Sequence, residues 1–206
     1  MSSEEAAPLL CAGIATFNAL KKSGAEAGDM VVVQGIGGLG HLALQYARKM
    51  GFRVVAVGRG ADIAEDALRL GAHVYIDSNK EDAVARLQSL GGARAIVTMI
   101  SDIEAIAALM GALAPQGRLV LLGAGKNPLP VSAGYLVRGE RSILGSITGT
   151  PFENERALDF SVLAGVRPRL ETVPLERAAE AVARMKSGQA TFRMVLTMTE
   201  KSHARP

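Results

Sequence analysis

The residues of this chain best suited to chemistry are a set of glycines and one arginine. Gly35, Gly37 and Gly40 follow the pattern G-x-G-x-x-G, with Gly38 as an extra glycine, directly after the run Met30-Val-Val-Val-Gln34. In such a pattern one glycine makes a tight turn, one lets backbone approach a diphosphate, and one lets a helix pack on a strand. The N–H groups and positive dipole end of the helix then face the phosphates. Leu39, Leu42, Ala43, Tyr46, Ala47 and Met50 recur at helical spacing and give that helix one apolar face. The motif is a weak signal alone and a much stronger one between a strand and a helix. About 20 residues after the first glycine, where an acid would bond an unmodified ribose, stand Gly58, Arg59 and Gly60. A small residue leaves room for a 2′-phosphate, and Arg59 can meet it with a charge-assisted, bidentate contact. NADP(H) is therefore expected over NAD(H), although Asp62 softens the local positive field; the plainer alternative is that Arg59 is a solvated loop residue.

The elements that must hold these groups read as an opening helical stretch followed by strand–helix units. Residues 2–22 read as helical from a Ser2-x-x-Glu5 capping box, with Pro8 interrupting the first turns. Strands are expected at 30–34, 53–57, 73–76, 95–100, 118–122 and 142–145. Helices are expected at 38–50, 62–70, 80–90 and 102–113, then near 153–164 and 176–187. The second of these pairs flanks an extended stretch at 169–174; a last strand at 192–196 precedes a polar tail expected to be disordered. Alternation with short connections implies an α/β fold: a Rossmann-type, doubly wound, six-stranded parallel sheet with helices on both faces. The expected divisions are a linking helical segment at 1–27, a dinucleotide-binding domain at 28–168 and a C-terminal segment at 169–206.

Composition agrees with this reading and removes others. A chain of 206 residues that is 49% hydrophobic, 4% aromatic and without Trp must build its core from Leu, Val, Ile and Ala, as doubly covered sheets do. The net charge of +3 comes from scattered Lys and Arg, with no basic block interleaved with aromatics, so a nucleic-acid partner is not expected. The single Cys excludes an internal disulfide framework and a multi-cysteine zinc site. No signal peptide or membrane-spanning apolar run is visible, so a cytoplasmic protein without a membrane partner is expected.

The elements Ala6-Ala-Pro-Leu-Leu-Cys-Ala-Gly13 and Gly35-Ile-Gly-Gly-Leu-Gly-His41 resemble the zinc-dependent alcohol dehydrogenases of the medium-chain dehydrogenase/reductase superfamily. Leu70-Gly-Ala72 with Asp77, and Phe192-Arg-Met-Val-Leu196, extend the likeness over nearly the whole chain, toward the cinnamyl-alcohol-type branch that tends to use NADP(H). The resemblance implies that Gly35, Gly37, Gly38 and Leu39 form the pyrophosphate turn and that Gly58 with Arg59 form the adenosine ribose site. It implies that Ile100, Gly123 and Ala124 line the ribose and nicotinamide, that Arg193 reaches the pyrophosphate, and that Cys11 matches a ligand of the catalytic zinc. The family's other zinc ligands and its proton relay belong to an N-terminal catalytic domain that does not match here. No catalytic set is therefore complete in this sequence, and zinc is expected only in a full-length assembly. The family also tends to carry Thr where Ala15 stands, with Thr16 adjacent. A homo-oligomer paired through the sixth strand is implied, with apolar surface at 1–25 and 170–198 left uncovered.

Plainer readings stand beside these. Cys11 alone is a packed apolar thiol more often than a ligand. His41 reads as a helix-start residue serving packing or a phosphate contact, and Arg193 as an edge-strand charge. Among functions, the resemblance favours the cofactor-binding portion of an NADP(H)-dependent alcohol dehydrogenase, inactive alone. The alternatives are a dinucleotide-sensing or pseudoenzyme module and a zinc-free quinone or enoyl reductase. Tyr135 is followed four residues on by Gly139 rather than Lys, which disfavours a short-chain dehydrogenase. Gln34 and Gly58 stand where a methyltransferase would want acids.

Overall fold

The computed structural model describes residues 1–123 and 125–198. The first strand, β1 (Met30–Gln34), is buried along its whole length because both faces of the sheet are covered. Its β-branched side chains alternate between two cores. Val31 and Val33 face the helix α3 (Gly40–Lys49) side, whereas Met30 and Val32 face the core on the other side of the sheet. β2 (Arg53–Gly58), β3 (Val74–Asp77), β4 (Ala93–Thr98), β5 (Leu113–Leu121) and β6 (Ser142–Gly145) complete a parallel sheet in the order β3-β2-β1-β4-β5-β6. Strand order reverses between β1 and β4, which opens a crevice outside their carboxyl ends. The expected doubly wound sheet is therefore the observed one.

The opening stretch departs from one continuous helix. After the capping box of Ser2 and Glu5, α1 (Ser3–Pro8) gives way to a wide π-helical turn at Leu9–Gly13 before α2 (Ile14–Lys22) resumes. Pro8 has no N–H to donate, and the Thr16 hydroxyl donates to the Ala12 carbonyl at 2.7 Å, satisfying one acceptor of the loosened turn. Residues 12–20 are buried, so the apolar surface expected at 1–25 is covered, with Met1 and Leu10 as the large exposed hydrophobics there. The cover comes from α3 and from α8 (Pro151–Ala164).

Other elements differ for local reasons. β4 starts at Ala93, which is drawn into the sheet opposite Leu113 across a register shift, and it stops at Thr98, leaving Ile100 beyond its end. β5 accordingly begins at Leu113 and runs through Pro115, and the preceding helix α6 (Ile103–Met110) ends earlier than expected. A seven-residue helix, α7 (Ala133–Gly139), was not expected; it is too short to show a periodic face and is tied down by the Tyr135 hydroxyl donating to the Met110 carbonyl. The stretch at 169–174 is a strand, β7 (Leu170–Pro174), which pairs in parallel with β8 (Arg193–Thr197) around the crossover helix α9 (Ala178–Lys186). The remaining helices, α4 (Ala64–Arg69) and α5 (Ala83–Ser89), fall where expected.

One buried polar contact locks the helices behind the site. Ser161 of α8 donates to the Ala157 carbonyl at 2.6 Å, so the Tyr46 hydroxyl of α3 must donate to Ser161 Oγ, 2.7 Å away. Phe17 and Phe160 pack against the same ring, with centroids 5.5 and 6.1 Å from that of Tyr46. Tyr46→Phe keeps the packing and removes one hydrogen bond, so urea unfolding should report a loss of about 1 kcal/mol with an unchanged m-value.

Candidate dinucleotide-binding site

The glycine turn is built as its spacing requires. Gly35 takes φ +92°, a left-handed conformation that L side chains resist, and its N–H donates to the Val57 carbonyl of β2 at 3.0 Å. Gly40 starts α3 so close to the strand end that a Cβ there would lie 2.0 Å from the Gly35 carbonyl oxygen. Gly37, by contrast, faces open space, with no heavy atom within 4 Å of the place its Cβ would occupy. The N–H groups of Gly37, Gly38 and Leu39 find no acceptor among the described residues, so three donors ring that opening. Such a cradle suits the oxygens of a diphosphate.

A cleft of about 960 Å³ lies beside the turn, lined by the ends of β1, β2 and β4 and by the starts of α5 and α6. Gly58 and Arg59 form part of its wall. The lack of a side chain at Gly58 has a reason the sequence did not show: a Cβ there would meet the Tyr75 hydroxyl at 2.8 Å. That hydroxyl donates to the Gly60 carbonyl at 2.6 Å, and the Gly60 N–H donates to Asp77 Oδ1 at 2.9 Å. The Gly60 and Asn79 N–H groups hold the Asp77 carboxyl below its usual range. The loop carrying Arg59 is thus clamped from β3, while Arg59 itself is exposed and pairs with no carboxylate among the described residues. Nothing in the sequence marks Tyr75; aromatic residues in strands are ordinarily core, and only the pairing of β2 with β3 reveals its task.

The opposite rim comes from β4, β5 and the β7–β8 unit. Ile100 packs its Cγ2 against Gly35, and Gly123 sits so near the Ile100 carbonyl that a Cβ would approach it to 2.0 Å. Ala124 lies outside the described residues. Arg193 of β8 lies over the turn, with Cζ and Nε each 3.3 Å from the Cβ position of Gly38. Its Nε is buried with no hydrogen-bond partner, and desolvation lowers the guanidinium pKa while Cys11 opposes that shift. A half-buried cation with an orphan donor beside three free N–H groups fits an anionic bridge. Phe192, held at φ +59°, stacks on His41 at 4.8 Å between centroids and fixes this unit to the turn.

His41 is a packing residue. Its Nε2 accepts from the Arg169 N–H at 3.2 Å, so the proton belongs on Nδ1, which faces the Gly37 carbonyl at 3.3 Å. Burial, chiefly, with help from Arg193 and Arg169, pushes its pKa down to about 4, against the Gly37 bond that favours the charged form.

The family profile described as zinc-binding dehydrogenase matches residues 38–162, more than half of the chain. The chain belongs to the zinc-binding dehydrogenase family. It is 44% identical over 192 residues to an alcohol dehydrogenase of Penicillium expansum, covering 93% of this chain and 56% of that protein. A cinnamyl alcohol dehydrogenase of Sorghum bicolor superposes with a TM-score of 0.83 at 28% identity, over 95% of this chain and 56% of that one. The acetophenone reductase of Geotrichum candidum, solved in complex with NAD, gives a TM-score of 0.82 at 25% identity over 93% and 55%. The chain therefore spans little more than half the length of the relatives it matches.

Within this zinc-binding dehydrogenase chain, Cys11 is exposed on the π-helical turn. No group of three or more His, Cys, Asp and Glu able to hold a metal ion occurs among the described residues, so these residues by themselves do not fit a zinc ion. Thr16 offers no substitute for a hydroxyl at Ala15, because it is fully buried and its Oγ1 points back to the Ala12 carbonyl. His203 of the tail lies outside the described residues. No helix of the described residues is long and apolar enough to cross a membrane.

Two outcomes follow from this geometry. Gly37→Ala should fold with stability within about 0.5 kcal/mol of wild type yet lose dinucleotide affinity at least tenfold, whereas Gly40→Ala should cost on the order of 2 kcal/mol in urea unfolding. His41 is protonated more readily in the unfolded chain, so its contribution is complete above about pH 6.5 and is lost as pH falls toward 4. Unfolding free energy should drop by about 2 kcal/mol from this group between roughly pH 7.5 and 5. In His41→Gln that part of the slope should vanish.

Proposed function

We propose that this chain is the NADP(H)-binding portion of an alcohol dehydrogenase-type oxidoreductase. The observation that carries the reading is the ring of unpartnered N–H groups at Gly37, Gly38 and Leu39 beneath the buried, unpartnered Nε of Arg193. These groups would bind the diphosphate, while Ile100, Gly123 and Ala124 would orient the nicotinamide half. When bound, the cofactor supplies hydride exchange between alcohol and aldehyde. The unpaired Arg59 at the lip supports NADP(H) over NAD(H), since a 2′-phosphate would give its guanidinium a partner. The NAD complex of the Geotrichum relative supports a nicotinamide dinucleotide in general.

Turnover in this reading needs metal ligands that the described residues do not supply, and Cys11 would contribute one ligand to a complete assembly. A dinucleotide-sensing module would bind NADPH and remain inactive with any catalytic half. We also propose self-association through β6, which is the edge of the sheet and carries Ile143 and Leu144.

Fluorescence titration should show NADPH binding at least tenfold tighter than NADH. Arg59→Glu should weaken NADPH by about tenfold or more while leaving NADH within a factor of about two. Equal NADPH affinity in wild type and variant overturns the phosphate assignment. Zinc content by mass spectrometry should be far below stoichiometric, and adding a family catalytic domain should restore aldehyde reduction; its failure to do so supports the sensing module instead.

A further inference from the structure

At the floor of the cleft, Gln34 ends β1 immediately before the turn and is only 6% exposed. Its Nε2 donates to the Ala105 carbonyl in the first turn of α6 at 3.1 Å. A carbonyl can only accept, so the amide nitrogen must face Ala105 and the oxygen is fixed as the remaining group. That oxygen, Oε1, is buried with no hydrogen-bond partner. The other buried side-chain atoms left unpartnered among the described residues belong to Asn18, Asp77, Thr98, Asn154 and Arg193, none of which lines this cleft. An unmet buried acceptor of this kind is costly until a donor arrives.

The rest of the cleft indicates which donor that is. Around Gln34 the wall is formed by Val57, Ile100, Ala105 and Leu109, a slot suited to a flat ring. The charged and hydroxyl-bearing groups that would meet a ribose phosphate, Arg59 and Ser78, lie toward the end of β2. A purine seated in the slot offers one exocyclic donor if it is adenine, namely its amino group, and an acceptor in the same place if it is hypoxanthine. We propose that Gln34 reads the base of the dinucleotide, its Oε1 accepting a hydrogen bond from the exocyclic amine of adenine and so discriminating against an oxo purine. Gln34 lines the cleft, so with Nε2 held by Ala105 its Oε1 belongs to the wall against which a bound base would lie. Such a site, built with an acceptor, rejects a partner lacking the matching donor because burial leaves both sides unpaired.

This inference rests on the dinucleotide reading above, and the experiment separates the two. Calorimetry on the whole chain with NADPH and with its hypoxanthine analogue should show at least tenfold tighter binding of the adenine form. Gln34→Met, of similar length and without the acceptor, should weaken the adenine form about tenfold and leave the hypoxanthine form within about twofold, collapsing the preference. Equal binding of both forms to wild type, or a preference undiminished in Gln34→Met, overturns the base-reading role while the dinucleotide reading stands. No binding of either form to wild type overturns both. The wild-type comparison decides the matter even if a variant fails to fold.

Discussion

Two stretches of backbone, at Gly35 and Gly40, approach so closely that a Cβ on Gly40 would lie 2.0 Å from the Gly35 carbonyl oxygen. α3 can begin directly over the end of β1 only because no side chain separates them, and everything at this end of the sheet takes its position from that contact. It points the first-turn N–H groups outward around Gly37. It places Leu42, Ala43, Tyr46 and Ala47 against Val31 and Val33 on one side of the sheet. It also brings His41 within reach of Arg169 and Phe192, which is how the β7–β8 unit is fastened across the turn. The cost of burying a neutral imidazole there is met by two backbone hydrogen bonds that leave no room for a second proton.

The site is polarised by what is left unpaired. Of the four carboxylates that line the cleft, Asp82 and Asp102 cap α5 and α6, whereas Asp62 and Glu81 temper its rim; Asp77, behind the cleft, holds Gly60. The cations are not engaged, since Arg59 is free at the lip and Arg193 is half-buried with an orphan Nε. Uncompensated positive charge beside free N–H groups is an electrostatic arrangement for a multiply charged anion. The β7–β8 unit brings one of the two cations from more than 150 residues beyond the turn, so Arg193 reaches the free N–H groups only when the chain's far end folds back.

Legibility followed the range of the interactions. The glycine turn, the six strands and most helices were readable because each rests on neighbours a few residues apart: β-branched runs, 3.6-residue periodicity and turn chemistry. The Ser2–Glu5 box was read for the same reason and is formed. What failed was non-local or too short to repeat. The extended stretch at 169–174 could not be seen as a strand until Arg193–Thr197 was laid beside it. The bulged entry of β5 depends on Ala93 pairing with Leu113. α7 has too few residues for a periodic face. The expectation of an uncovered apolar surface at 1–25 overlooked that α8, some 130 residues later, covers α2.

The sequence by itself determined the class of fold, the place of the glycine turn and the family, because glycine spacing and hydrophobic period are consequences of local sterics. Tertiary structure decided how the individual side chains are used. Gly58 is small on account of Tyr75, Thr16 is turned inward, and Gln34 is left with an acceptor unmatched. Each of these outcomes depends on atoms brought together from separate strands and helices, and a linear pattern carries no distance between them.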